Sequence, residues 1–142
     1  MRRLLFFAAL FFVSVLFLFT NSCSKKDSGV TPTIANISGT YTFTETAQKA
    51  SGPVYDPRDS ACQKDDEIKF NTDSTYNYID AGTVCSPSNS FTDLWTLPNS
   101  STILLGAQVF AIESFNNKIL VLAYTNDNVT PAITYTITLT KQ

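Results

Sequence analysis

Ile133-Thr134-Tyr135-Thr136-Ile137-Thr138-Leu139-Thr140 alternates apolar and hydroxyl side chains without a break. Successive side chains of a strand point to opposite faces. The stretch therefore shows Ile133, Tyr135, Ile137 and Leu139 to one side and its threonines to the other. β-Branched and aromatic residues at period two are the signature of a half-buried strand.

The same signal recurs upstream. Residues 38–46 place Tyr41 and Phe43 on one face and Thr40, Thr42 and Thr44 on the other. Residues 67–70 put Ile68 with Phe70, and residues 75–79 put Tyr76 with Tyr78. Residues 91–97 carry Trp95, residues 102–105 are short and apolar, and residues 108–115 and 118–124 are rich in aliphatics. The last of these is apolar on both faces, so its facing depends on the length of the turn before it. With residues 133–140 the count is eight strands, and no internal repeat or convincing amphipathic helix accompanies them.

The connections are mostly short. Asn71-Thr72-Asp73-Ser74 separates the second and third strands, Gly106 marks the fifth connection, and Asn116-Asn117 separates the sixth and seventh. Paired Asn tolerates the positive φ of a two-residue hairpin turn. Short links force antiparallel neighbours. Eight antiparallel strands in sequence order predict an all-β, up-and-down barrel, whose closure removes exposed edges. The alternative is a β-sandwich, which usually needs longer crossing connections. Residues 47–61 make a longer loop that can lie over one mouth of a barrel.

The chain of 142 residues contains no histidine, which excludes Ser-His-Asp and Cys-His catalysis and His-ligated metal sites. Its start reads as an address. Met1-Arg2-Arg3 is followed by an apolar run from Leu4 to Phe19 broken only by Ser14. That run is short for a spanning helix and fits a secretory signal over residues 1–22. Without it the balance is 8 basic against 12 acidic residues, because Arg2 and Arg3 go with the signal. An acidic chain with no basic run is a poor nucleic-acid binder.

Phe19-Thr20-Asn21-Ser22-Cys23, with a polar run after it, resembles the lipobox of bacterial lipoproteins. That resemblance implies a diacylated Cys23 at the new N-terminus and stable membrane anchoring through several acyl chains. Ser24 rather than Asp after the cysteine implies the outer membrane, on its periplasmic or cell-surface face. The alternative is an ordinary cleaved signal beside an incidental cysteine. Residues 23–36 then read as the lipidated end and a tether, and residues 37–142 as the domain.

Lipid on Cys23 leaves Cys62 and Cys85, and an even pair in an exported chain reads as a disulfide. Centring the first hairpin between Thr72 and Asp73 makes paired positions sum to 145, and Cys62 and Cys85 sum to 147. They fall nearly opposite each other where the two strands open out. Two free thiols are the alternative.

Gly39-Thr40-Tyr41 looks like the Gly-x-Trp signature of lipocalins, with Tyr in the Trp place. Cys62-Gln63-Lys64-Asp65-Asp66, Ile68-Lys69-Phe70, Asp73-Ser74-Thr75-Tyr76, Cys85, Trp95-Thr96-Leu97, Ile112 and Leu120/Leu122 follow in order. This order is similar to the small lipocalin-like domains of bacterial lipoproteins and covers about residues 37–142. The resemblance implies a barrel with a ligand at its mouth. Ser74 stands where that family often has a turn glycine.

Candidates for a ligand lining are the aromatic residues of the strands: Tyr41, Phe43, Phe70, Tyr76, Tyr78, Trp95, Phe110 and Tyr135. An eight-stranded barrel is just wide enough to be filled by such rings or to hold one small apolar ligand. Asp56, Asp59, Asp65, Asp66 and Glu67 form an acidic cluster that suits calcium by ligand type but not by EF-hand spacing, and solvated charge is the plainer reading. Glu113, the one acid in an apolar strand, reads as a satisfied or outward-facing residue rather than a catalytic one. Asn128-Val129-Thr130 matches the N-glycosylation pattern, which bacterial export makes a poor reading.

No cofactor and no metal is expected. The expected function is a membrane-anchored binding protein for a small apolar or amphipathic ligand. The alternative is an accessory envelope lipoprotein with a packed barrel that contacts another envelope protein, an inhibitor of a secreted enzyme included. An enzyme would have to work with lone carboxylates or tyrosines and is not expected.

Overall fold

The computed structural model describes residues 29–142. Residues 1–22, expected to be a signal peptide, and Cys23 lie outside the described residues. A one-turn helix α1 (Ile34–Ile37) precedes β1 (Gly39–Lys49), β2 (Val54–Tyr55), a 3₁₀ turn (Ala61–Gln63) and β3 (Glu67–Phe70). Then follow β4 (Thr75–Ile79), β5 (Phe91–Asn99), β6 (Thr102–Leu105), β7 (Gln108–Phe115), β8 (Ile119–Asn126) and β9 (Ile133–Lys141).

β1 and β3 to β9 form one closed antiparallel barrel in sequence order. The quoted alternating stretch is its closing strand: β9 pairs with β8 on one side and with β1 on the other, from Tyr41↔Lys141 to Lys49↔Ile133. β3 covers only Gly39 to Thr42 of β1, whereas β9 covers Tyr41 to Lys49. That stagger is the shear a closed barrel requires. It leaves the upper edge of β1 free, and the short β2 pairs there through Ala47↔Tyr55 and Gln48↔Val54. A two-residue strand carries no period, so the sequence holds no sign of it.

The first hairpin is shifted by one residue from the expected register. Its pairs run from Glu67↔Ile79 to Phe70↔Tyr76 and sum to 146 rather than 145. The cause is Ser74, whose φ of 68° puts it in the left-handed region. The turn takes three residues, closed by Asn71 N–H donating to Thr75 O at 2.9 Å. The shift matters because it sets Ile68 and Phe70 on the same face as Tyr78 and Tyr76. A sum of 145 would have turned the tyrosines outward.

The turn ends of β1, β3, β5, β7 and β9 define two ends of the barrel. At one end α1 is the stopper, within the stretch expected to be tether. Thr33 caps it by accepting from Asn36 N–H, and the Asn36 side chain accepts in return from Thr33 N–H. Ile37 is fully buried beneath the strands. The Tyr41 hydroxyl donates to Ile37 O at 2.6 Å, and Lys141 Nζ donates to Asn36 O at 2.9 Å. Above the stopper, Tyr41, Phe70, Trp95, Ile103, Leu120 and Leu139 fill the interior at 0–1% exposure. Phe70 meets Tyr41 and Trp95 edge-on, with ring centroids 5.7 and 5.1 Å apart. The Trp95 indole N–H donates to Asn71 O at 3.0 Å. Each such side chain contributes roughly 1.5–3 kcal/mol by burial, so this half is the stable body of the domain.

Candidate functional site

The other end is built differently. Two long loops meet there, residues 50–66 between β1 and β3 and residues 80–90 between β4 and β5. The Cys62–Cys85 disulfide joins them across a sequence separation of 23. Three aspartates brace the junction. Asp66, fully buried, accepts from the Tyr78 hydroxyl at 2.7 Å and from Ala81 N–H at 3.3 Å. Asp65 accepts from Thr83 N–H at 2.8 Å. Asp80 accepts from Cys85 N–H at 3.0 Å and Asn89 N–H at 3.1 Å. The Cys85 N–H first, and Asn89 N–H with it, hold the Asp80 carboxyl below the usual carboxylate range. The acidic cluster of the sequence is thus largely loop bracing, and among the described residues no three acidic or cysteine side chains converge as a metal site.

Of the stretch expected to be a loop over residues 47–61, residues 47–49 belong to β1, and the remainder runs back along the free upper edge of β1 beside the mouth. Arg58 is its contact with the interior. The guanidinium sits 5.5 Å from the ring centroid of inward-facing Phe43 and donates to Phe43 O at 3.1 Å. A bidentate pair with Asp56, at 2.9 and 3.0 Å, occupies its other edge. The Arg58 side chain is only 9% exposed. A buried guanidinium needs such pairing to offset its desolvation.

Beneath Arg58 the walls are aromatic. Tyr78 stacks on Phe91 at 5.3 Å and meets Phe43 edge-on at 5.9 Å. On the opposite wall Tyr124 stacks on Tyr135 at 4.7 Å and meets Phe110 edge-on at 5.1 Å. Burial raises the Tyr78 hydroxyl pKa, and its bond to Asp66 raises it further. The registers Tyr78↔Phe91 and Tyr76↔Asp93 put Phe91 and Asp93 on the inner face, in line with Trp95. Phe91 is nevertheless 48% exposed, and Tyr78, Tyr124 and Tyr135 are half-buried. The inner face is therefore filled at the α1 end and open to solvent at the loop end.

Glu45 is the residue the sequence reading missed. It follows Tyr41 and Phe43 at period two and pairs with Ile137, so it points inward. Among the described residues its carboxylate has neither a hydrogen-bond donor nor a cation within 4.0 Å. Burial raises its pKa, Arg58 opposes that shift, and Asp56 adds to it. The signal was available in the strand period, but a lone acid among threonines carries no motif.

The eight aromatic candidates do not form one site. Tyr41, Phe70 and Trp95 belong to the filled half, where burial pushes the Tyr41 hydroxyl up to about 12. Phe43, Tyr76 and Phe110 are buried between the halves, and Tyr78 and Tyr135 line the open one. Glu113 is exposed at a bulge in β7, and the facing of β8 is settled with Leu120, Leu122 and Tyr124 inward. Two grooves mark the surface. One of about 660 Å³ runs beside Val30, Ser101 and Phe115 at the stopper end. One of about 430 Å³ runs beside Lys69, Asn77 and Thr92 and reaches Tyr78 and Phe91 of the mouth. Set against family models, curated proteins and solved structures, the chain matches none.

Proposed function

We propose that this protein is a membrane-anchored, lipocalin-like lipoprotein that binds a small amphipathic molecule at the mouth of its barrel. The observation that carries the reading is the contrast between the two halves of one inner face. Tyr41, Phe70 and Trp95 are sealed, whereas Phe91 at 48% exposure and the half-buried Tyr78, Tyr124 and Tyr135 stay open to solvent. Concave, mostly apolar walls with a few polar groups are the usual form of a small-molecule site. The lipobox-like Cys23 supports the anchor and an outer-membrane address. With α1 at the end opposite the mouth, an anchor on Cys23 would turn the mouth away from the bilayer. The reading assigns no catalytic step.

The test is calorimetric titration of the exported Cys23→Ala chain with decyl maltoside below its micelle concentration. Saturable binding is expected, with Phe91→Ala or Tyr124→Ala weakening it about tenfold through lost apolar contact. Binding that both variants leave unchanged would place the ligand elsewhere.

One observation favours the accessory reading instead. Leu94 and Val109 are 61% and 52% exposed, on the outer faces of β5 and β7 with outward-facing Leu104 of β6 between them. Pull-down of one envelope protein by the wild-type chain but not by Leu94→Asp would support it.

A further inference from the structure

The inner face at the mouth carries an excess of negative charge, which Arg58 offsets at Glu45 only in part. Glu45 on β1 and Asp93 on β5 both point inward, from different strands. Asp66 lies buried beside Tyr78 and keeps its own hydrogen bonds. The cation held against the interior, Arg58, is already engaged bidentately by Asp56. Lys49 shares the inward face of β1 with Glu45 but ends the strand, exposed, four residues beyond it, and Lys64 reaches Asp56 at 4.0 Å rather than the interior. Tyr78 and Tyr124 both lie near enough to Glu45 to feel its charge, Tyr78 stacked on Phe91 and Tyr124 on Tyr135.

The negative face of an aromatic ring attracts cations, and a desolvated carboxylate lacks a counter-charge until one arrives. An anionic amphiphile meets the opposite: it would bring a charge of the same sign as Glu45 and Asp93 into a partly desolvated space. Resting on the binding function proposed above, we propose that the mouth selects amphipathic organic cations, a protonated or quaternary amine on an apolar body, over anionic and neutral amphiphiles of equal length. The apolar body lies against the aromatic walls, and the ammonium sits between Glu45 and the tyrosine faces. A quaternary head needs no hydrogen-bond geometry from Glu45, whose carboxylate has no donor among the described residues.

The test titrates the exported Cys23→Ala chain with decyltrimethylammonium, decyl maltoside and decanoate, which share a ten-carbon chain and differ in head charge. The expected result is binding of the cation at least tenfold tighter than of decanoate, a preference that falls about tenfold in Glu45→Gln. Asp93→Asn, at an exposed position where an amide oxygen can still accept from Leu94 N–H as Asp93 does at 2.7 Å, should lower the same preference by a smaller factor. Equal binding of the three, or tighter binding of decanoate, would overturn the cation preference and leave the binding function standing. Saturable binding of none would overturn both.

Discussion

Single residues at both ends of the barrel carry strain or charge that substitution can expose. Ser74 sits at φ 68°, a conformation that costs an L-residue with a side chain but not glycine. Ser74→Gly should stabilise the domain by roughly 0.5–1 kcal/mol in thermal unfolding, and Ser74→Val should destabilise it. Tyr78→Phe removes one of the two hydrogen bonds to buried Asp66 and should cost about 1.5–3 kcal/mol. Glu45 is of the opposite kind. Its folded pKa is raised by burial, so the folded state holds a proton more tightly than the unfolded chain does. Stability from that group is lost as pH rises through the window from its ordinary value to the raised one. Glu45→Gln should therefore be more stable than wild type at neutral pH, and the difference should vanish in acid. Loss of the difference at pH 7 would mean that the carboxylate is fully solvated.

At the scale of elements, the loop end depends on the disulfide and on Asp80. Reduction should loosen the two long loops, and Cys62→Ser with Cys85→Ser should cost roughly 3 kcal/mol on the chain-entropy estimate for a span of 23 residues. Asp80 has a depressed pKa, so its contribution is present above the ordinary carboxylate range and is lost as pH falls through the folded value. Amide exchange of residues 81–89 should accelerate in that acid window before the barrel strands respond. These elements also show what the sequence could say. Period two marked the strands at residues 38–46, 67–70, 75–79 and 133–140 because each packs one face on the core, and the other four were marked by apolar runs between turn residues, all to within a few residues. The two-residue β2 and the one-turn α1 are too short to carry a period, and their places are set by the free edge of β1 and the open end of the core. The one-residue register shift came from an αL serine, which a reading based on turn glycines passes over. Glu45 escaped because its meaning depends on which strands surround it, not on its neighbours in sequence.

The whole molecule is a barrel with unlike ends, one sealed by α1 and large rings, the other bridged by loops over an aromatic, acidic mouth. Cys23→Ala should move the chain from the membrane fraction to the soluble one, and persistence in the membrane fraction would remove the anchor from the account. The central claim, a ligand in the mouth, is tested most directly by amide shift mapping of the isotope-labelled, exported Cys23→Ala chain during titration with decyl maltoside. Saturable shifts are expected at Glu45, Tyr78, Phe91, Tyr124 and Tyr135. The Trp95 indole N–H, bonded to Asn71 O deep in the filled half, should stay where it is. Shifts confined to the outer-face residues Leu94, Leu104 and Val109, or no saturable shift at all, would contradict it.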